Sequence, residues 1–266
     1  MRHLLLLTIL AFAVRIQAED LREKLETNYL SFAEALKAKD SEKLKTTIST
    51  HNYVLLKNQL VSSKAKFPDD LFQMAPTMVV NLKKLKFLKT TEKGPTANAV
   101  YFGKTPVGDN EFVILKFVKE GNDWKYDGEA EKQSDELKQK LSAKDLSFLN
   151  EKDFLPSGVM PATPKEVTPL DYKGVIDVSG VGYRVTVKVN GVEQFTIEDG
   201  KQSTLILGGL KKGYNSIDLK ITPIHGKEQE KVSVSIKGFL RKGVSEVFAM
   251  EQDKPSLMIT KEFEIK

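Results

Sequence analysis

Beyond the first eighteen residues the chain has two histidines, His51 and His225, the side chains best suited to carry a proton near neutral pH. Neither has a second histidine near it in sequence, so no histidine-rich metal motif arises, and no EF-hand spacing occurs. His225 sits in a Pro-x-His-Gly phrase that reads as turn surface. His51 follows a predicted helix end, where a cation is favourable. Capping is the plain reading and a pocket residue the sharper one. Asp69-Asp70 reads as the acidic first turn of a helix opened by Pro68. Lys83, Lys84, Lys86 and Lys89 form the densest basic run. It suits an acidic partner or, more plainly, a strand face turned to solvent. Gly180-Val181-Gly182 lacks the third glycine and the helix of a dinucleotide loop. Gly208-Gly209-Leu210-Lys211-Lys212-Gly213 lacks the order of a P-loop, so both read as turns. There is no cysteine, which excludes disulfides, thiol catalysis and cysteine metal ligands. No cofactor, no metal centre and no catalytic set are expected.

These residues lie in a chain of 266, long enough for two cores, with 40% apolar and 29% charged residues. Residues 1–18 read as a secretory signal: Arg2 and His3, the apolar run Leu4 to Val14, then Ala18 before Glu19-Asp20. Eleven apolar residues are too few for a span, so no transmembrane segment is expected once the signal is removed. Cleavage after Ala18 lowers the net charge from +5 to +3, 39 Lys and Arg against 36 Asp and Glu. That charge is small and evenly spread and does not call for nucleic acid. With no disulfide and no Asn-x-Ser/Thr acceptor, a bacterial periplasmic or secreted protein fits best.

The run Pro156 to Pro169 holds four prolines in fourteen residues and reads as a semi-rigid linker between domains 19–155 and 170–266. On its N-terminal side Leu21, Leu25, Tyr29, Phe32 and Leu36 mark one face of a helix that breaks at Ala38-Lys39-Asp40. Asp40 or Ser41 caps a second helix carrying Leu44 and Ile48. A short helix over His51 to Leu60 and one from Pro68 follow. The stretch from Val79 to Thr91 is read as a strand. Further strands cover Ala97 to Lys104 and Glu111 to Lys119, and a last one starts at Trp124-Lys125-Tyr126. Ser134 caps a helix with Leu137 and Leu141, and Ser142-Ala143-Lys144-Asp145 reads as a capping box for Leu146 and Leu149.

This order of elements, the phrase Tyr29-Leu30-Ser31-Phe32-Ala33-Glu34-Ala35-Leu36-Lys37-Ala38-Lys39-Asp40 and the strand Asp123-Trp124-Lys125 resemble the nuclear transport factor two-like fold over roughly residues 20–130. The resemblance implies an α+β cone, a bent sheet round the long helix. Members include ketosteroid isomerase, polyketide cyclases and many non-catalytic binding domains. An isomerase needs an acid or histidine base at the cone mouth and a tyrosine or protonated acid as oxyanion donor. Tyr29 and Tyr101 could point inward, but both sit at apolar-periodic positions, and the sequence shows no base opposite them. The pocket candidates are Tyr29, Phe32, His51, Phe72, Tyr101, Phe117 and Trp124.

After the linker, eight strand-like runs follow: Tyr172–Val178, Tyr183–Val189, Val192–Ile197, Ser203–Leu207, Tyr214–Ile221, Lys231–Ile236, Glu246–Met250 and Leu257–Ile265. Asn190-Gly191 is a strong hairpin signal; Asp199-Gly200, Gly208-Gly209 and His225-Gly226 read as further turns. Strands at this spacing read as an all-β sandwich. Leu210 to Leu219 is similar to the L-x-x-G-x-N-x-I-x-L turn and strand of immunoglobulin-like accessory sandwiches. The resulting expectation is an exported, non-catalytic binding or accessory protein, with a protein or glycan partner at the cell envelope. The cone offers it a pocket for a small hydrophobic ligand or a homodimer face. The alternative is an enzyme of the ketosteroid isomerase or polyketide cyclase type acting on a small hydrophobic substrate.

Overall fold

The computed structural model describes the backbone of residues 2–105, 108, 110–253 and 255–266, and their side chains from residue 20 onward. The chain is mixed α+β, with a helical N-terminal part and two antiparallel sheets. It divides into two compact units: Met1–Leu55 with Pro68–Pro164, and Leu56–Phe67 with Lys165–Lys266.

The first unit begins with α1 (Arg2–Ala38), which stops because Lys39 turns to a positive φ of 58° and the Asp40 amide bonds back to Ala35. The Asp40 carboxylate then accepts the amides of Glu42 and Lys43 and opens α2 (Ser41–Thr47), which buries Leu44. α3 (Thr50–Ser62) and α4 (Asp69–Met78) follow. The strands β1 (Lys86–Lys93), β2 (Thr96–Lys104), β3 (Asn110–Glu120) and β4 (Asp123–Lys132) pair in that order, all antiparallel. Both edge strands touch α1, so the sheet curls round the helix as a half-barrel. Its outer face is covered in part by α5 (Asp135–Ser142) and the segment behind it: Leu137, Phe148, Leu149 and Phe154 pack on Val100, Phe112 and Ile114. β3 is thus buried on both faces, which is why Phe112-Val113-Ile114-Leu115 runs apolar instead of alternating.

Two local expectations change here. Val79 to Thr91 is not one strand. The Asn81 side chain accepts the Lys83 amide and folds Leu82–Lys84 into a 3-10 turn before β1 begins. Ser142 does not cap the turn after α5, since its hydroxyl donates back to the Lys138 carbonyl. Asp145 caps instead, accepting the Ser147 amide at 2.9 Å, so Phe148 and Leu149 are buried and Leu146 stays exposed.

In the second unit the eight expected runs become six strands. The first two fuse into β5 (Lys173–Val189) and the next two into β6 (Val192–Leu205), joined at Asn190-Gly191 with positive φ at both residues. β7 (Gly213–Pro223), β8 (Val232–Leu240), β9 (Gly243–Gln252) and β10 (Met258–Ile265) complete one hydrogen-bonded antiparallel sheet. The first half of β5 pairs with β8, and its second half pairs with β7. Between the halves the β5–β6 register slips from Gly180 to Arg184, and there the Asp199 carboxylate accepts the Gly182 amide at 2.9 Å. Asp199-Gly200 is therefore an irregularity inside β6 rather than a chain reversal. The two halves share one core, with Ile176 and Val234 from one side and Val187, Leu219 and Phe263 from the other.

Part of the proline run and of α3 also belong to this unit. The Asn58 amide donates to the Lys165 carbonyl at 2.8 Å and its oxygen accepts the Val167 amide at 3.0 Å. The Ser62 hydroxyl accepts the Gly208 amide at 2.7 Å, with Ser62 1% exposed.

Candidate functional site

The inner face of the four-stranded sheet holds most of the expected pocket residues, and it is filled by them. Tyr29, Phe32, Tyr101 and Phe117 are all at most 1% exposed. Tyr126 packs against Phe32 at 4.4 Å and Tyr29 at 5.3 Å between ring centroids. The Tyr29 hydroxyl accepts the Val80 amide at 2.8 Å and faces the Val80 carbonyl at 3.3 Å, so it ties α1 to the chain after α4. The Tyr101 hydroxyl donates to Glu26 at 2.9 Å, and Glu26 also takes the Arg22 guanidinium at 2.7 Å. Burial first, then Glu129 for Tyr29 and the Glu26 bond for Tyr101, hold both phenols far above the ordinary value. Neither is free to serve as an oxyanion donor.

The same face carries an acid row that the sequence reading missed. A bulge beside Gly128, where φ is 109°, leaves Asp127 without a partner on β3 and reverses the side-chain parity of β4. Tyr126, Glu129 and Glu131 then face inward, opposite Phe117, Leu115 and Val113. The Tyr126 hydroxyl lies 3.3 Å from Glu129. Desolvation, then the neighbouring Glu131, pushes the Glu129 carboxyl up to about 7. Glu131 is also raised, by desolvation and by Glu111. Glu111 is 7% exposed; one of its oxygens accepts Gln133 at 2.6 Å, and the other has no hydrogen-bond partner among the described residues. A carboxyl poised near neutrality can accept a proton. The signal was the alternation Asp127-Gly128-Glu129-Ala130-Glu131, whose inward parity only the bulge decides.

The remaining candidates lie elsewhere. Phe72 lines an apolar groove of about 710 Å³ between α4 and α1, with Ala33, Ala75, Pro76 and Val79. Trp124 is 9% exposed, with the Lys119 ammonium 5.8 Å from its ring. His51 is in the first turn of α3, not behind a helix end, and its Nδ1 lies 2.9 Å from Asp127. Ser49 also donates to Asp127 and accepts the Asn52 amide, as a helix cap does. The carboxylate thus stands between serine and histidine, so the imidazole cannot take the serine proton. Lys83, Lys84 and Lys86 are exposed, and Lys89 binds Asn150 at 2.8 Å. Asp69 and Asp70 occupy the first turn of α4, and His225 is exposed in its turn. Among the described residues no three His, Cys, Asp or Glu converge as metal ligands, and no helix is long and apolar enough to cross a membrane. Comparison with protein-family models, with curated proteins and with solved structures finds no match.

Proposed function

We propose that this is an exported, non-catalytic binding or accessory protein, built from a nuclear transport factor two-like cone and an immunoglobulin-like β unit. The observation that carries the reading is the closed inner face: the aromatic rings expected to line a pocket pack on one another, and both candidate tyrosine hydroxyls are engaged. The partner, a protein or glycan of the cell envelope, meets the β unit, where Tyr214, Val244, Leu257 and Met258 are each more than half exposed. Export rests on the layout of residues 1–18 and predicts an N-terminus at Glu19, checked by N-terminal sequencing of protein recovered from the cell envelope; an intact Met1 would refute export.

The experiment is a pull-down from envelope extract with the full chain and with a Val244→Asp, Leu257→Asp, Met258→Asp variant. A stable protein or glycan held by the parent and lost by the variant supports the reading. Recovery of a chemically altered small molecule with no partner overturns it. One observation favours the isomerase or cyclase reading: the Glu129 carboxyl near neutrality beside a phenol. That reading requires hydrogen exchange α to the carbonyl of a cyclic ketone, catalysed by the parent and absent from Glu129→Gln.

A further inference from the structure

A groove of the first unit lies on the outer face of its sheet. Its volume is about 1020 Å³. The floor is the outward side of β2, β3 and β4, with Ile114, Val118 and Ala130; the roof is the strap running from Asn150 to Pro161. The strap is pinned at two points. The Asn98 amide donates to the Phe154 carbonyl at 3.1 Å, and the Gly158 amide donates to the Thr96 hydroxyl at 2.8 Å. Phe154 itself is 1% exposed, locked in the core under α5. Gly158 is required where it is, because its φ is 81° and a Cβ there would meet the Lys93 side chain at 2.9 Å. The cleft is therefore preformed, of the size that holds a small molecule rather than a protein surface.

Its charges are unbalanced. Asp153 is paired with Lys132, and Asp127 with His51 and Ser49. Lys93, Lys116 and Lys152 line the cleft; among the described residues Lys93 and Lys116 have no ion-pair partner, and Lys152 lies near enough to Asp153 to help lower its pKa. Glu131, at the end of the acid row, also reaches the lining, and desolvation and Glu111 raise its pKa. Leu155 and Val159 add an apolar wall, with Val159 70% exposed. Hydrocarbon against Leu155 and Val159 and an anionic head among the lysines would satisfy both features at once.

We propose that this cleft binds an anionic amphiphile, a single acyl or alkyl chain carrying a carboxylate or phosphate head. The site is separate from the envelope-partner surface and stands or falls independently of it. The test is isothermal titration calorimetry of the full chain with dodecanoate, dodecyl phosphate and dodecyltrimethylammonium, each kept below micelle formation. Binding of either anion, with the cation at least tenfold weaker, supports the proposal; a preference between the anions assigns the head group. Lys116→Glu, an exposed position, is expected to weaken anion binding by about tenfold or more, the value of one charge-assisted contact. Val159→Asp, on the exposed wall, is expected to do the same while leaving the thermal midpoint unchanged. Equal binding of cation and anion, no binding of either anion, or full binding by Lys116→Glu overturns it.

Discussion

At the residue scale, Glu129 is where burial and chemistry meet. Its carboxyl in the folded protein titrates at about 7, against an ordinary value of 4.5. An acid raised by folding favours the fold while protonated. Its contribution is therefore fully present below about pH 4.5 and is lost as the pH rises through 7. The shift amounts to at most about 3 kcal/mol, less what solvent screens at a half-buried group. Glu129→Gln removes the titration. Urea denaturation followed through Trp124, the sole tryptophan, should show the variant about 1–2 kcal/mol more stable than the parent at pH 8 and equal to it at about pH 4. An unchanged difference across that range would mean that the carboxyl is solvated in both states. The sequence supplied the tyrosines of this face because their spacing on α1 and β2 follows helix and strand periods. It could not supply Glu129, because one unpaired residue at the bulge reverses which side of β4 faces inward.

At the scale of elements, the strand periods were legible and the places where strands bend were not. Asn190-Gly191 announced its hairpin because both residues tolerate positive φ, and β7 to β10 followed their alternation. The pairs of runs that became β5 and β6 looked like four strands because Gly180-Val181-Gly182 and Asp199-Gly200 interrupt the alternation. Only tertiary pairing tells a bend from a reversal. The bend also explains its own glycine: Gly182 has φ of 80°, and a Cβ there would lie 2.1 Å from the Glu228 carbonyl oxygen. Gly182→Ala must strain the backbone and displace the segment before β8. The left-handed conformation alone costs about 1–3 kcal/mol, and the clash adds to it. Gly191→Ala, with nothing within 4 Å of its Cβ, carries the φ penalty without the clash. Circular dichroism melts should rank the parent above Gly191→Ala and Gly191→Ala above Gly182→Ala. The reverse order would show that the bend relaxes without cost.

At the scale of the molecule, the proline run marks a change of class, but the chain is not divided there alone. Residues 56–67 group with the C-terminal strands. Asn58 fixes both Lys165 and Val167, and Ser62 receives the Gly208 amide. This lies outside what periodicity can show: α3 reads as one amphipathic helix, and nothing in its pattern assigns its two halves to different cores. The run itself is held at Gly158 by Thr96 and at Lys165 and Val167 by Asn58, which leaves the exposed residues between Val159 and Pro164 as the cleavable stretch. Limited proteolysis is expected to nick there first. The two fragments should then stay together on size exclusion under native conditions, because the N-terminal fragment carries a helix that belongs to the C-terminal unit. Asn58→Ala leaves the Lys165 carbonyl and the Val167 amide of the proline run without their partner and costs about 1–3 kcal/mol. It should move the first cut toward Lys165 and let the nicked fragments separate. Fragments that part at once in the parent, or a piece spanning 170–266 that folds as stably alone as in the whole chain, would show that residues 56–67 contribute nothing to the second core.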